Sequence, residues 1–349
     1  MHGVEDSVER YLIEATARDL FSGVVLLARG SDVLLSSAHN QACRRFGVPN
    51  QPDNRFDIAS VGKMFTAVAI GQLVGVGLLS FDQPFASYLP DYPPAVAERV
   101  TIHHLLTHTS GLSSIFDGGW EIASRARFRT IDDLLPYFRD RPLLFEPGTR
   151  WEYSNAGYVL LGAIIESVTG RWYLDYVQEH VFSRAGMYDS GAYSLDEKVP
   201  KVAYAYSRLD PTDQVDAEPR WNNVYRHWTT TTPAGCFYST AHDLLRFSLA
   251  LRGGELLSTS MVAALTESSV QTGRRPGERY ARGFFTEDLN GVRVFGHGGT
   301  IPGFQAWLDV YPSLDYTAIV LTNFDAPAAR NVAWLVREGL TGVSPPAPL

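Results

Sequence analysis

The segment at residues 56–70, FDIASVGKMFTAVAI, places Ser60 and Lys63 three positions apart where an apolar run begins. Positions i and i+3 share one face of a helix, so Lys63 can reach the Ser60 hydroxyl if the helix begins at or just before the serine. A serine hydroxyl is a weak nucleophile until a base removes its proton, and a desolvated lysine can be that base. The alternative is a surface lysine on a helix that happens to start with serine. The spacing alone does not decide between them.

The composition is that of an acidic globular chain. Its 349 residues, 45% of them hydrophobic, are enough for a large core in one domain or two coupled ones. The 30 basic and 38 acidic side chains give a net charge of −8, and no basic stripe occurs, so nucleic acid is not expected as a partner. Cys43 and Cys236 form no CxxC pair and are expected to be buried free thiols.

The N-terminal residues do not have the pattern of a secretory signal. They carry acidic residues where a signal is basic, and Val8, Leu12 and Ala15 match one face of an amphipathic helix. The longest apolar run, residues 65–79, is too short for a membrane span and contains a glutamine and three glycines. We therefore expect a cytoplasmic protein that does not associate with a membrane.

Strand patterns lie at both ends of the chain and helical patterns lie between them. Two strands are predicted in residues 21–40 and three more between residues 292 and 324, whereas helical patterns dominate from Ser60 to about residue 190. This order predicts an α/β sheet domain built from both termini, with a mostly helical domain inserted into it. The predicted boundaries are residues 1–58 plus 234–342 for the sheet domain, 59–233 for the helical domain and 343–349 for a Pro-rich tail.

A second short pattern lies in EPGTRWEYSNAGY, residues 146–158. Tyr153 and Asn155 are two positions apart where a loop enters an apolar helix, so both can face one cleft. A tyrosine near an ammonium ionises more easily and can relay protons, and an asparagine amide can hold a substrate carbonyl. The alternative is an ordinary helix N-cap at Ser154 or Asn155.

A third pattern lies in FGHGGTIPG, residues 295–303, at the end of a predicted strand. The two glycines after His297 allow a backbone to approach a ligand closely. The backbone N–H of Thr300 can then pair with that of Ser60 as an oxyanion hole. The alternative is a tight turn beside a histidine with satisfied hydrogen bonds.

The three motifs together resemble those of the serine β-lactamase-like family. That family includes class C β-lactamases, D-alanyl-D-alanine carboxypeptidases, D-aminopeptidases and β-lactamase-like carboxylesterases. FDIASVGKMFTA is similar to its nucleophile motif, Tyr153-Ser154-Asn155 to its Y-x-N motif, and His297-Gly298-Gly299 to the H-x-G form of its third motif. The resemblance covers roughly residues 15–342 and implies an antiparallel sheet flanked by helices, with no cofactor and no metal.

The resemblance also implies a role for each motif residue. Ser60 would be the acyl-accepting nucleophile and Lys63 its base. Tyr153 would pass the proton to the leaving group, and His297 would supply a hydrogen bond or a charge near it. The implied substrate-binding residues are Asn155, Gly299 and Thr300, and the backbone amides of Ser60 and Thr300 would form the oxyanion hole.

Two short stretches depart from the family pattern. Pro233-Ala234-Gly235-Cys236 stands where the family usually has P-A-G-G, and Tyr280-Ala281-Arg282-Gly283 stands where it has Y-G-x-G. Both are expected to border the cleft and to affect substrate choice rather than the acyl chemistry.

Other candidate residues give weaker patterns. His104 and His108 are four apart like a zinc pair, but the glutamate of H-E-x-x-H is missing, so no metal site is expected. Glu166 is expected to be a solvated or capping acid rather than a base. Four aromatic residues in irregular stretches are either core or walls of an acyl pocket: Trp120, Trp221, Tyr225 and Trp228.

The sequence therefore predicts a serine hydrolase that acts through an acyl-enzyme on a small ester or amide, of the esterase or D-amino-acid amidase or peptidase type. The alternatives are an acyltransferase, a β-lactamase or D,D-peptidase, and an inactive binding protein with the same fold. A neutral His297 offers no fixed positive charge, so we expect substrates without a carboxylate beside the scissile bond. An arginine of the pocket would restore that charge, and Arg282 is the candidate. The oligomeric state is left open.

Overall fold

Strands from both ends of the chain form one sheet, and helices from its middle cover one face. The structure is a computed structural model that describes residues 3–117, 125–208, 220–222, 230–267 and 269–345. The α-helices are α1 (Val4–Ala17), α2 (Lys63–Gly75), α3 (Pro94–Ala97), α4 (Ile102–Leu106), α5 (Asn155–Thr169), α6 (Tyr173–Val177), α7 (Ser183–Ala185), α8 (Ala241–Gly253), α9 (Thr259–Thr266) and α10 (Ala328–Thr341). The strands are β1 (Gly23–Arg29), β2 (Asp32–His39), β3 (Gln41–Cys43), β4 (Val48–Pro49), β5 (Phe56–Asp57), β6 (Tyr206–Ser207), β7 (Trp221–Asn222), β8 (Tyr238–Ser239), β9 (Val270–Gln271), β10 (Arg279–Tyr280), β11 (Phe285–Leu289), β12 (Val292–Ile301), β13 (Phe304–Tyr311) and β14 (Tyr316–Thr322).

Pairing between the two ends of the chain closes the main sheet. Among the described residues, eight strands lie in the order β2-β1-β14-β13-β12-β11-β10-β9, with every neighbouring pair antiparallel. The joining pair is β1 with β14, in register from Gly23 opposite Thr322 to Arg29 opposite Tyr316. The predicted architecture, an antiparallel sheet built from both termini with a mostly helical insertion, is confirmed. The domain boundaries stay a prediction.

The main sheet is covered on both faces, and β1 shows why its sequence is continuously apolar. Val24 and Leu26 pack in the core shared with α2 and α5. Val25 and Leu27 point the other way, into a second core formed with α1 and α10. Since successive side chains of a strand alternate between faces, a strand that is buried twice needs apolar residues at every position.

Helix α2 lies in the centre of the helical layer. Ten of its 13 residues are buried, and the ring of Phe65 meets Phe182, Phe237 and Phe247 edge-on at centroid distances of 4.9 to 5.5 Å. A helix that is apolar on all sides belongs in a core. Ser60 does not lie in the α-helix itself but in the 3₁₀ turn Ala59–Gly62 that precedes it.

Other sequence-based expectations have mixed outcomes. Residues 130–138 lie in the stretch where helical patterns dominate the sequence, but they form turns and a 3₁₀ segment, Leu135–Tyr137, because Pro136 interrupts helical hydrogen bonding. Trp221 is 44% exposed, whereas Trp120, Tyr225, Trp228 and residues 346–349 of the predicted tail lie outside the described residues. In the part of the chain that the structure describes, no helix has the length and apolarity needed to cross a membrane.

Candidate active site

The first two sequence motifs meet at the Lys63 amino group. Its Nζ lies 3.1 Å from Ser60 Oγ, 2.7 Å from Asn155 Oδ1 and 2.6 Å from the backbone oxygen of Ala234. The side chain is fully buried. The start of α2, the start of α5 and the 232–236 turn therefore converge on one amine.

Burial prepares Lys63 to act as a base. Desolvation lowers its pKa from 10.5 to about 7, against a smaller opposing effect of Cys236. A neutral amine has two N–H groups and one lone pair. Asn155 Oδ1 and the Ala234 oxygen accept the two hydrogens, so the lone pair remains for the hydroxyl proton of Ser60.

A strained turn presents Ser60 to the cleft. Ala59 has a φ of 48°, a left-handed conformation that costs about 1–2 kcal/mol for a residue with a side chain. Its N–H donates to Asp57 Oδ1 at 2.7 Å, and its carbonyl accepts from the Cys236 N–H at 3.1 Å. These contacts on both sides hold the turn, and the positive φ explains why α2 cannot begin before Ser60.

Cys236 lies behind this turn and not on the cleft wall, which corrects one expectation. The residue is buried and has a φ of 67°, where the glycine of the family pattern would be unstrained. Its thiol hydrogen-bonds the Asp57 side chain. Burial raises the pKa of the thiol well above its usual range and that of Asp57 to about 7, so Cys236 keeps its proton at neutral pH.

Tyr153 lies next to both members of the first motif. Its hydroxyl hydrogen-bonds Ser60, and Lys63 Nζ lies 4.9 Å from the centre of its ring. Enclosure of the hydroxyl raises the pKa of Tyr153 above its usual range. The expectation of easier ionisation is therefore wrong, since desolvation outweighs the opposing effects of the Ser60 hydrogen bond and the Arg274 charge on this pKa.

His297 is neutral and does not use its ring nitrogens on Tyr153. Its Nδ1 lies 2.6 Å from the Gly298 carbonyl oxygen and must donate there, so Nε2 accepts from the Tyr280 hydroxyl at 3.0 Å. Burial, followed by the charge of Lys63, lowers the pKa of His297 to about 3. The centres of the His297 and Tyr153 rings lie 6.4 Å apart. A charge on His297 near Tyr153, one of the two expected contributions, is excluded at neutral pH.

Tyr280 and His108 support the site through contacts that no sequence motif indicates. Tyr280 is fully buried, and its hydroxyl lies 3.3 Å from that of Tyr158 as well as binding His297. The His108 ring lies 4.2 Å from the Tyr153 ring, and its Nδ1 accepts from the Ser154 N–H at 3.1 Å. His108 therefore positions the second motif and does not pair with His104 on a metal.

The described residues contain no group of three or more His, Cys, Asp or Glu side chains placed to hold a metal ion. His104 Nδ1 instead accepts from the Thr101 N–H at 3.2 Å and caps α4. Glu166 is a capping acid as expected, because its Oε1 accepts from the Tyr173 N–H at 2.9 Å.

Gly299 lets β12 run against the nucleophile turn. A Cβ at this position would lie 2.3 Å from the Ile58 oxygen and 2.9 Å from the Ser60 nitrogen. The close approach brings Thr300, the next residue, to the cavity beside Ser60. Pairing of their two backbone amides as an oxyanion hole stays a prediction.

A cavity of about 280 Å³ opens beside these residues. Ser60, Tyr153, His297 and Thr300 line it, together with Arg274. Arg282 lies elsewhere: its Nε donates to His103 Nδ1 at 3.1 Å, and its Nη1 donates to the Ala264 oxygen at 2.7 Å. The expectation that Arg282 is the arginine of the pocket is therefore wrong.

Several known proteins are similar to this chain in sequence and in fold. The family model described as beta-lactamase matches residues 8–341. Esterase EstB of Burkholderia gladioli is 30% identical over 344 residues, which cover 88% of this chain and 86% of EstB. The crystal structure of a penicillin-binding protein from Bacillus halodurans has a TM-score of 0.83 and 34% identity, over 93% of this chain and 96% of that one. D-amino acid amidase of Ochrobactrum anthropi SV3, with a TM-score of 0.81, 23% identity and 97% of each chain covered, shares the fold. The chain belongs to the beta-lactamase family and is a serine hydrolase with that family's fold.

Proposed function

We propose that this protein hydrolyses a small-molecule ester or amide through a covalent acyl-enzyme on Ser60. The observation that carries the proposal is the buried Lys63 amine, which lies 3.1 Å from Ser60 Oγ with its two hydrogens held by other acceptors. This geometry favours removal of the serine proton over donation to the serine, because the lone pair of the amine is the group left for Ser60.

In the acylation step, Lys63 Nζ takes the hydroxyl proton as Ser60 Oγ attacks the substrate carbonyl. The backbone N–H groups of Ser60 and Thr300 stabilise the oxyanion. Tyr153 keeps its proton at neutral pH, donates it to the leaving group and regains one from the Lys63 ammonium. In deacylation, water replaces the leaving group, its proton passes through the same two side chains, and Ser60 recovers its hydroxyl.

Asn155 and His297 arrange the site in this proposal. The Asn155 carbonyl oxygen binds Lys63, so its amide nitrogen is the group that can hold a substrate carbonyl. His297 is fixed by Tyr280 and Gly298 and stays neutral, so it shapes the cleft without adding charge.

An ester is the first substrate class to test, because one relative that is 30% identical over 88% of this chain is named an esterase. An amide is the second, because a protein with the same fold is named a D-amino acid amidase. Intact-mass analysis against panels of esters, D-amino-acid amides and β-lactams would show which of them acylates the protein.

The decisive experiment for the nucleophile is labelling with a neutral fluorophosphonate, followed by peptide mapping. We expect one phosphonyl group on Ser60 and no labelling in Ser60→Ala. Ser31→Ala is the matched control, since Ser31 is exposed in the turn between β1 and β2, and this variant should label like the wild type. Undiminished labelling of Ser60→Ala, or no labelling of the wild type, would contradict the proposal.

A further inference from the structure

The cavity beside Ser60 contains a guanidinium group that the acyl chemistry does not use. Arg274 lines it together with Ser60, Tyr153 and His297, and its charge acts on both Tyr153 and His297. The side chain is 54% exposed. Its Cζ lies 5.5 Å from the centre of the Phe285 ring. The guanidinium is therefore near the reaction and still accessible to a ligand that enters from solvent.

The neighbouring arginines of this cavity are already paired. Arg275 binds both carboxylate oxygens of Glu287, at 2.6 and 2.9 Å, and Arg337 binds both oxygens of Asp309, at 2.7 and 2.9 Å. Two-point pairing of this kind satisfies each carboxylate and leaves neither arginine available to a substrate.

Arg274 has a weaker partner. Its ion pair among the described residues is with Glu278, at 3.7 Å. The oxygens of Glu278 already accept from Thr272 Oγ1 and Arg275 Nε, each at 2.8 Å. Arg274 is thus the cation with hydrogen-bonding capacity left, whereas the acids lining the described part of the cavity are paired with arginine.

This arrangement of charge predicts that the substrate carries a negative charge. A substrate ammonium group would meet paired carboxylates and the positive charge of Arg274, whereas a substrate carboxylate would meet a planar donor group that matches its geometry. The position of the charge follows from exposure. Arg274 is more than half exposed, whereas His297 is buried, so the cation lies nearer the mouth of the cavity than the third motif does. The Phe285 ring contacts both side chains, with its centre 4.9 Å from that of the His297 ring and 5.5 Å from Arg274 Cζ.

We propose that Arg274 binds a carboxylate of the substrate, and that the enzyme prefers esters or amides whose carboxylate lies several bonds from the scissile carbonyl. The proposal rests on the acyl-enzyme chemistry at Ser60 proposed above. It replaces Arg282 with Arg274 as the arginine of the pocket. It also agrees with a neutral His297, since no charge is then placed directly beside the reacting bond.

The test compares substrates that differ only in charge. One series is 4-nitrophenyl esters whose five- or six-carbon acyl chains end in a carboxylate or in its neutral carboxamide. The other is hexanoate esters of 4-hydroxybenzoate and 4-hydroxybenzamide, which place the same difference on the leaving group. We expect kcat/KM to favour the carboxylate by at least about tenfold in one of the two series, as for a charge-assisted hydrogen bond. Salt should weaken the preference.

Variants assign the preference to one side chain. Arg274→Met keeps an apolar stem over Phe285 but removes the charge, so the preference should fall to twofold or less. Arg10→Ala makes the same change in net charge on the exposed face of α1, and should keep the wild-type preference. No preference in either series, or one that survives in Arg274→Met, would overturn the role of Arg274.

Failure of this inference can be told apart from failure of the proposed function. Fluorophosphonate labelling of Ser60 and turnover of the carboxamide substrates test the acyl chemistry without testing the charge. Labelling and turnover without a carboxylate preference would reject the role of Arg274 alone. Loss of labelling in Arg274→Met would show that the variant disturbs the nucleophile, and Arg274→Gln would then replace it in the same comparison.

Discussion

Lys63 is a buried amine whose protonation state is set by what surrounds it. Its side chain is fully buried, which disfavours a positive charge, and its lone pair faces the Ser60 hydroxyl. His297 and Tyr153 do not change charge in the same range, because burial lowers the pKa of His297 to about 3 and raises that of Tyr153 above its usual range. Activity between pH 6 and 9 should therefore follow the protonation state of Lys63. Burial raises the pKa of Asp57 to about 7 as well, so a variant must separate its titration from that of Lys63.

The first prediction concerns pH. A base works only when unprotonated, and the pKa of Lys63 is lowered to about 7, so kcat/KM for a neutral ester should rise through pH 7 and level off above pH 8. Asp57→Asn keeps an oxygen for the Ala59 N–H but cannot titrate, so this variant should show the same rise of kcat/KM with pH. A rise of kcat/KM centred near the ordinary lysine pKa, or a rise that disappears in Asp57→Asn, would contradict the assignment of this pH dependence to Lys63.

Single residues show how far sequence reasoning reaches. Ser60 and Lys63 could be paired because their relation is local, three positions on one helical face. The Tyr280 contact to His297 and the His108 contact to Tyr153 arise from folding, and no local spacing indicates them. The choice of Arg282 as the arginine of the pocket was wrong for the same reason. Arg282 is anchored through its backbone N–H to Leu265 at 2.9 Å, and its side chain is held away from the cavity.

At the scale of elements, the site depends on how closely β12 passes the nucleophile turn. Gly299 does not have a positive φ, so the limit on its side chain is space and not backbone freedom. The backbone oxygen of Ile58 and nitrogen of Ser60 occupy the place where a Cβ would lie. Backbone atoms cannot move aside as the end of a flexible side chain can, and a larger residue must push the two elements apart.

The second prediction is that Gly299→Ala folds but acylates slowly. The added Cβ would meet the Ile58 oxygen at 2.3 Å, and a shift of about 1 Å between reacting groups can reduce rates about 100-fold. The measurement is the rate of a 4-nitrophenyl ester burst, with near-ultraviolet circular dichroism to establish the fold. Gly75→Ala is the control, because a Cβ there meets nothing within 4 Å, and its burst should equal that of the wild type. An unchanged burst in Gly299→Ala would show that β12 can move without effect.

Sequence patterns predicted some secondary-structure elements correctly and others not. Strands with strong apolar character, such as β1 and β14, were predictable because both faces are buried. Residues 130–138 lie in the stretch of helical patterns but form turns instead. Pro136 interrupts helical hydrogen bonding, and the Asp133 side chain accepts from the Arg129 and Thr130 N–H groups.

At the scale of the whole molecule, the last helix is tied to the wall of the cavity. Arg337 of α10 binds Asp309 of β13 at two points and also reaches Glu287 of β11 at 3.2 Å. Arg275 binds Glu287 from the loop that carries Arg274. A buried chain of ion pairs therefore joins the C-terminal helix, the sheet and the substrate-facing loop.

The third prediction is that Arg337→Met destabilises the fold by about 3–5 kcal/mol, because Asp309 and Glu287 would lose a buried partner. Arg330→Met, on the exposed side of the same helix, is the control and should change stability by no more than about 0.5 kcal/mol. Urea unfolding followed by fluorescence measures both. Equal stability of the two variants would mean that the ion pairs contribute nothing beyond the packing of the arginine stem.

The overall arrangement was more predictable than its contacts. The order of strand and helix patterns was enough to predict that both ends of the chain share a sheet, since the pattern is set by periodicity. The joining of loop, strand and helix through Arg275, Glu287 and Arg337 was not predictable, because charged residues in sequence give no indication of their partners.

The pairing of β1 with β14 determines when, during synthesis of the chain, the active site can form. The nucleophile and its base belong to the first fifth of the chain, but Gly299 and Thr300, on which the cleft around Ser60 depends, follow much later. A chain still growing on the ribosome would carry Ser60 and Lys63 without β12 beside them. Hydrolysis should therefore begin only after β12 has been synthesised and has paired, and a nascent chain that ends before Gly299 should leave esters in its surroundings untouched.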